Sequence, residues 1–302
     1  MKKIFFSAIA ISTLFFSYSC NTDFDTDVTE IATTNGEADF SKYVALGNSL
    51  TAGYRDNALY ISGQNESYPN MIAQQMKAVG GGEFKQPLMA DDLGGIPSIG
   101  RANKLVLSLV NGELSPVTAS GTGTTTLTNI YASGPYQNMG VPGAKVSHLL
   151  APGYGSAANL SAGRANPYFV RFASSATTSV IADFISQKPT FFSLWIGNND
   201  ALLYALAGGD SSVETLTSAA DFKTYYTLLA TQIATTGAKG IVANIPDVTA
   251  IPSLTTVPYN PLSVSVLGSD NIDKLNQRIY GPLKQVLTAL GAGDRINLLS
   301  KT

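Results

Sequence analysis

Tyr43-Val44-Ala45-Leu46-Gly47-Asn48-Ser49-Leu50-Thr51-Ala52-Gly53-Tyr54 is the stretch around which the chain is organised. Its first four residues read as a short buried strand. The strand breaks at Gly47, the chain presents Ser49, and Gly53 closes the segment. A strand ending in a small-residue turn places its next polar side chain at the C-terminal edge of a sheet. In open α/β sheets that edge is where ligands bind. A serine there serves as a nucleophile if a base and an oxyanion hole reach it. It can equally be a turn or helix-capping residue.

Outward from this stretch, strands alternate with helices. Phe40 to Leu46 is the first strand, and Tyr68 to Val79 has apolar residues at helical spacing, stopped by Gly80-Gly81-Gly82. Residues 80–130 read as an insertion, with Asn111-Gly112 between apolar runs signalling a β-hairpin. The insertion either shapes substrate access or decorates the surface. Tyr136 to Leu150 forms a tight turn through Gly140, Pro142 and Gly143 and then opens a helix. A glycine at such a junction leaves its backbone N–H uncovered, which suits an oxyanion donor or a plain loop. Phe191 to Ile196 is the best central strand, and it runs into Gly197-Asn198-Asn199-Asp200. Helices over 221–236 and 271–290 flank a strand over 240–245. The alternation argues for a mostly parallel sheet covered on both faces.

Composition excludes several functions. The 302 residues carry a net charge of −2, so no basic field exists to hold nucleic acid. One cysteine and one histidine rule out a Cys/His metal cluster and an intrachain disulfide. Residues 1–19 read as an export signal: Met1-Lys2-Lys3 precedes an apolar run too short to span a bilayer. Cys20 sits where a bacterial lipoprotein is cut and acylated, although Ser17 and Tyr18 depart from the usual lipobox. Asp23, Asp25, Asp27 and Glu30 then lie in a solvated tether over 20–40, ahead of a domain over 41–302. The acidic residues just after the cysteine resemble those of surface-exported bacterial lipoproteins, and that resemblance implies an outer-membrane lipoprotein, exposed at the cell surface and held by lipid at Cys20.

Three stretches together resemble the SGNH, or GDSL, hydrolase family. Gly47-Asn48-Ser49-Leu50 is similar to its first block, Gly-Asp-Ser-Leu. Asn138 to Gly143 resembles the second block, and Gly197-Asn198-Asn199-Asp200 matches the third, Gly-x-Asn-Asp. The resemblance implies a three-layer, flavodoxin-like α/β fold with a mostly parallel sheet, here incomplete at the C-terminus and carrying the hairpin insertion. It implies an ester hydrolase acting through an acyl-Ser49 intermediate, without metal or cofactor. The N–H groups of Ser49 and Gly143 and the carboxamide of Asn199 would form the oxyanion hole. Gly47, Asn48, Gly197 and Asp200 would support the loops, with Asn48 replacing the family's aspartate. The substrate would be a lipid, a small acyl ester or an acetylated polysaccharide.

The family's last block, Asp-x-x-His, has no counterpart in the chain. The only histidine, His148, lies five residues past Gly143 and is expected to be a packed helix residue rather than the base. Asp200 and Asp247 are poorer candidates because of aspartate's low pKa. The chain is therefore expected to be a piece of a longer enzyme, nearly inactive as it stands, because losing a triad base costs on the order of a millionfold. The alternative is a non-catalytic surface module that binds glycans or other ligands on the same fold.

Overall fold

Strand β1 (Tyr43–Gly47) is buried along its whole length. Its side chains alternate between two apolar layers, as a central strand covered on both faces requires. The computed structural model describes residues 33–255 and 262–300, so the expected signal segment, Cys20 and most of the tether lie outside the described residues. Two further strands flank β1 in parallel: β4 (Asn138–Gly140) on one side and β5 (Phe191–Trp195) on the other. Strand β6 (Lys239–Val242) pairs in parallel with β5, giving the order β4-β1-β5-β6. The expected hairpin forms from β2 (Leu105–Val110) and β3 (Glu113–Thr118), a separate antiparallel ribbon. Asn111 and Gly112 at its turn both have positive φ, the conformation a tight two-residue hairpin needs.

On one face Val44 and Leu46 join Met139, Leu194 and Ile196. Helices α4 (Val146–Leu150), α6 (Val180–Ser186) and α8 (Ala219–Ala234) cover this layer through Leu149, Phe184, Leu229 and Ile233. On the other face Tyr43 and Ala45 pack on Ala73 and Met76 of α3 (Tyr68–Met76). The single-turn helix α1 (Ser49–Ala52) lies on the same side and leads, through α2 (Ile61–Asn65), into α3. A second cluster joins Ala52 and Leu59 to Met89, Ile96 and Tyr168, so part of the 80–130 segment is buried. Tyr168 belongs to the short helix α5 (Pro167–Val170), and α7 (Asn199–Leu206) follows β5.

The result is the three-layer, mostly parallel α/β arrangement expected. The chain leaves β1 for β4 on one flank and later returns to β5 on the other. This reversal makes the C-terminal edge between β1 and β5 the topological switch point, where ligands collect in such sheets.

The differences from the sequence reading are local. Strand β4 lies inside a stretch read as a turn; its three residues are too few to show a period, and Pro135 and Pro142 bracket it. Gly143 does not open a helix: Lys145 is the N-cap of α4. Strand β6 ends at Val242, short of the expected 245, and the chain reaches Pro246 soon after. The helix expected over 271–290 becomes α9 (Ser269–Leu275) and α10 (Gly281–Ala289), joined by a π turn over Asn276–Tyr280. Pro282 has no N–H to donate back into the preceding turn, and a local widening is a common response.

Candidate active site

Gly47 pairs with Gly140 on one neighbour and with Trp195 on the other, so the three blocks leave the sheet at the same level. Neighbouring strands sit about 4.8 Å apart, so the loops start side by side. Three hydrogen bonds then close them into a ring. Val141 N–H donates to Gly47 O at 3.0 Å, tying the second loop to the first. The Asn199 carboxamide donates to Ala144 O at 2.9 Å, tying the third to the second. Asn48 Nδ2 donates to Asn198 Oδ1, tying the first to the third.

Within the ring each residue has a separable job. Asn48 is fully buried, and its Oδ1 caps α1 by accepting from Leu50 N–H at 3.1 Å. The capping role therefore falls to Asn48, not Ser49. Ser49 occupies the first helical position, half-buried. Among the described residues no group hydrogen-bonds its hydroxyl, and its backbone N–H lies at the helix N-terminus, where donors are left over. Gly143 is exposed, with φ of +80°, and a Cβ there would meet nothing within 4 Å. Its N–H too has no partner among the described residues, so an available donor sits at an exposed position. Asn199 is buried; one amide hydrogen holds Ala144 O, leaving the second free.

The glycines are dictated by crowding. A Cβ on Gly47 would lie 2.1 Å from Thr51 Oγ1 and 2.4 Å from Trp195 O. Gly197 has φ of +118°, with Ile245 Cδ1 at 2.5 Å from such a Cβ. Asp200 is buried, and its Oδ2 accepts from Val146 N–H at 3.0 Å, fixing the start of α4.

A family model described as "GDSL-like Lipase/Acylhydrolase" matches residues 43–295. The chain belongs to that family. The family acts on esters in general, so this GDSL-like chain is placed among hydrolases acting on esters. In comparisons with curated proteins and with solved structures, nothing matches it.

His148, the sole histidine of this GDSL-like chain, lies on α4 and faces other partners. Its Nδ1 is 3.2 Å from Lys145 N–H and 3.3 Å from Tyr154 Oη, and the two rings stack at 5.0 Å. A backbone N–H can only donate, so Nδ1 supplies the lone pair and the neutral ring carries its proton on Nε2. No nitrogen is then free to take a proton from serine. Burial, followed by the charge of Lys145, holds the His148 pKa below its ordinary value. Lys145 Nζ in turn reaches Glu214 Oε1 at 2.6 Å and Thr215 O at 2.9 Å, fastening the 207–217 loop beside the second block.

Two residues to which the sequence reading gave no part in placing the serine hold α1, and with it Ser49, in place. Asn138 is buried; its Nδ2 donates to Thr51 O at 2.9 Å and Gln86 Oε1 at 2.8 Å, and its Oδ1 accepts from Gly140 N–H. Gly140 lets α1 pack on β4, because a Cβ there would lie 2.2 Å from Ala52 N. Their signal was present in Asn138-Met139-Gly140, but only the helix–strand contact gives it meaning. A cavity of about 380 Å³ lies at the opposite, N-terminal edge of the sheet, bordered by Lys42, Tyr136 and Gln187. It is remote from the serine loop, and the size of a cavity is a weaker guide here than the three converging loops. Among the described residues no acidic, Cys or His group of three could hold a metal.

Proposed function

We propose that the chain cleaves carboxylic esters through an acyl-Ser49 intermediate. The hydroxyl oxygen of Ser49 attacks the ester carbonyl while its proton passes to a base. The carbonyl oxygen becomes an oxyanion facing the N–H groups of Ser49 and Gly143 and the free amide hydrogen of Asn199. Collapse expels the alcohol, which takes up the proton, and water then releases the acid by the same sequence. The observation that carries this reading is the ring of hydrogen bonds joining the three loops at the switch point.

The described residues place no base on Ser49, so turnover by the 302-residue chain is slow on this reading. Attachment by lipid at Cys20 to the outer membrane, with the domain at the cell surface, completes the proposal. Incorporation of labelled palmitate by the wild type and not by Cys20→Ala would support it.

The missing base also favours a second reading, a surface module that binds glycans or other ligands without chemistry. Exogenous imidazole separates the two because it can stand in for the base. Imidazole should accelerate p-nitrophenyl acetate hydrolysis by the wild type well above a Ser49→Ala control, with acetyl found on Ser49 by mass spectrometry. Equal rates in both proteins, together with no fluorophosphonate label on folded wild type, would leave the binding module as the better account.

A further inference from the structure

Arg171 follows α5 and is only 5% exposed. Its guanidinium meets no carboxylate among the described residues. Nη2 donates to Leu88 O at 2.7 Å, and Nη1 reaches Pro87 O at 3.4 Å and Met89 Sδ at 3.3 Å. The Nε hydrogen is buried with no partner. Arginine does not give up its proton in proteins, so this charge stays and must be offset locally. Tyr136 and Tyr168, the ionisable groups that act on it, are both uncharged at neutral pH, and burial pushes Tyr168 up to about 12.

Arg171 lines a small cavity with Gln64, Ala52, Asn138, Gly140 and Tyr168. At about 10 Å³ it has room for one particle near the size of water. The hydrogen-bonding groups around it are unequally used. Gln64 Oε1 already accepts from Met89 N–H, and Asn138 Oδ1 from Gly140 N–H. Asn138 Nδ2 already serves two acceptors. The unused donors are Arg171 Nε–H, the second amide hydrogen of Gln64 and the Tyr168 O–H, while the Tyr168 oxygen and the second lone pairs of the two amide oxygens can still accept. A water molecule placed there would find hydrogen-bond partners but would leave the buried guanidinium charge uncancelled. A monatomic anion needs only donors, and it also cancels the charge.

We propose that this cavity binds a halide ion, chloride under ordinary conditions, beside the Arg171 guanidinium. The ion would sit where the end of α1, strand β4 and the 87–89 segment meet, bracing the support of the serine helix from below. It is independent of the ester chemistry and would stand if that reading failed.

Crystals of the wild-type chain grown or soaked in sodium bromide should show an anomalous peak within hydrogen-bonding reach of Arg171 Nε. In solution, chloride should raise the melting temperature above sodium gluconate of equal ionic strength. Beyond saturation the rise should be about 2–4 °C per tenfold in concentration. Arg171→Met should lose that chloride-specific increment. An ordinary water or empty density at Nε in the bromide data overturns the proposal, whether or not Arg171→Met folds. So does identical melting of the wild type in chloride and gluconate.

Discussion

On the proposed chemistry Asn199 would carry two duties on one nitrogen, and they can be separated by experiment. One amide hydrogen holds Ala144 O and the other is available to substrate. If the second stabilises an oxyanion, Asn199→Ala should lower imidazole-supported kcat by about 10²–10³ with little change in KM. A fall in KM-dependent binding alone would place Asn199 outside the chemistry. His148 makes the contrasting case of a buried group with a structural task. Its pKa is lowered first by burial and next by Lys145, while Asp200 and Glu214 oppose the shift. The unfolded chain therefore binds the proton before the folded chain does. Stability is complete above about pH 6.5 and is lost as pH falls through the lowered folded value. His148→Asn keeps an acceptor for Lys145 N–H without the titration, so its melting temperature should fall less between pH 7.5 and pH 5 than that of the wild type. A parallel pair of curves would remove His148 from the acid response.

At the scale of elements, the single-turn helix α1 is too short to hold itself together and depends on what it touches. Asn48 caps it, Asn138 holds Thr51 O, and Gly140 lets it approach β4. A Cβ at Gly140 would meet Ala52 N at 2.2 Å and Thr51 C at 2.6 Å, both backbone atoms that cannot swing away. Gly140→Ala should thus cost about 1–3 kcal/mol of stability, read by denaturant unfolding, and should also slow phosphonate labelling of Ser49 in the protein that remains folded. Labelling at the wild-type rate would show that α1 tolerates displacement. The same elements show what a sequence discloses. β1, β5, the hairpin and α8 announce themselves because each has a period or a turn signal longer than the noise. Ser49, Gly143 and Asn199 are legible because they sit in short blocks placed at strand ends. β4 is not legible, since three residues carry no period, and neither are the tasks of Asn138 and Gly140. Those tasks exist only once two segments 87 residues apart are in contact.

Across the whole molecule the burial is lopsided. β1 has a strand on each side and apolar layers on both faces, and its five residues are all buried. β6 lies at the sheet's edge, where Ile241 and Val242 remain 51% and 55% exposed. Over the run from α9 through α10, Ile272 is the buried hydrophobic residue, while Ile279, Leu283 and Val286 stay exposed. Local opening free energies follow buried apolar contacts and shielded hydrogen bonds, so these regions should open well below the cost of global unfolding. Hydrogen exchange followed by mass spectrometry should find 43–47 and 191–195 the most protected segments. Residues 239–242 should exchange sooner, and 269–289 sooner still, although the latter is helical. The comparison is informative because helix content alone predicts the reverse. Equal protection of 269–289 and 43–47 would mean that packing in solution covers the C-terminal helices. The three loops of the candidate site leave β1, β4 and β5, and the hydrogen bonds that close them involve no residue of 239–289, so partial opening at β6 and beyond should leave the Ser49–Gly143–Asn199 loops intact. Phosphonate labelling in mild urea, at concentrations where only 239–289 has lost protection, should proceed at the rate seen without urea. A rate that fell in step with that opening would make the C-terminal segment part of the machinery that holds the serine.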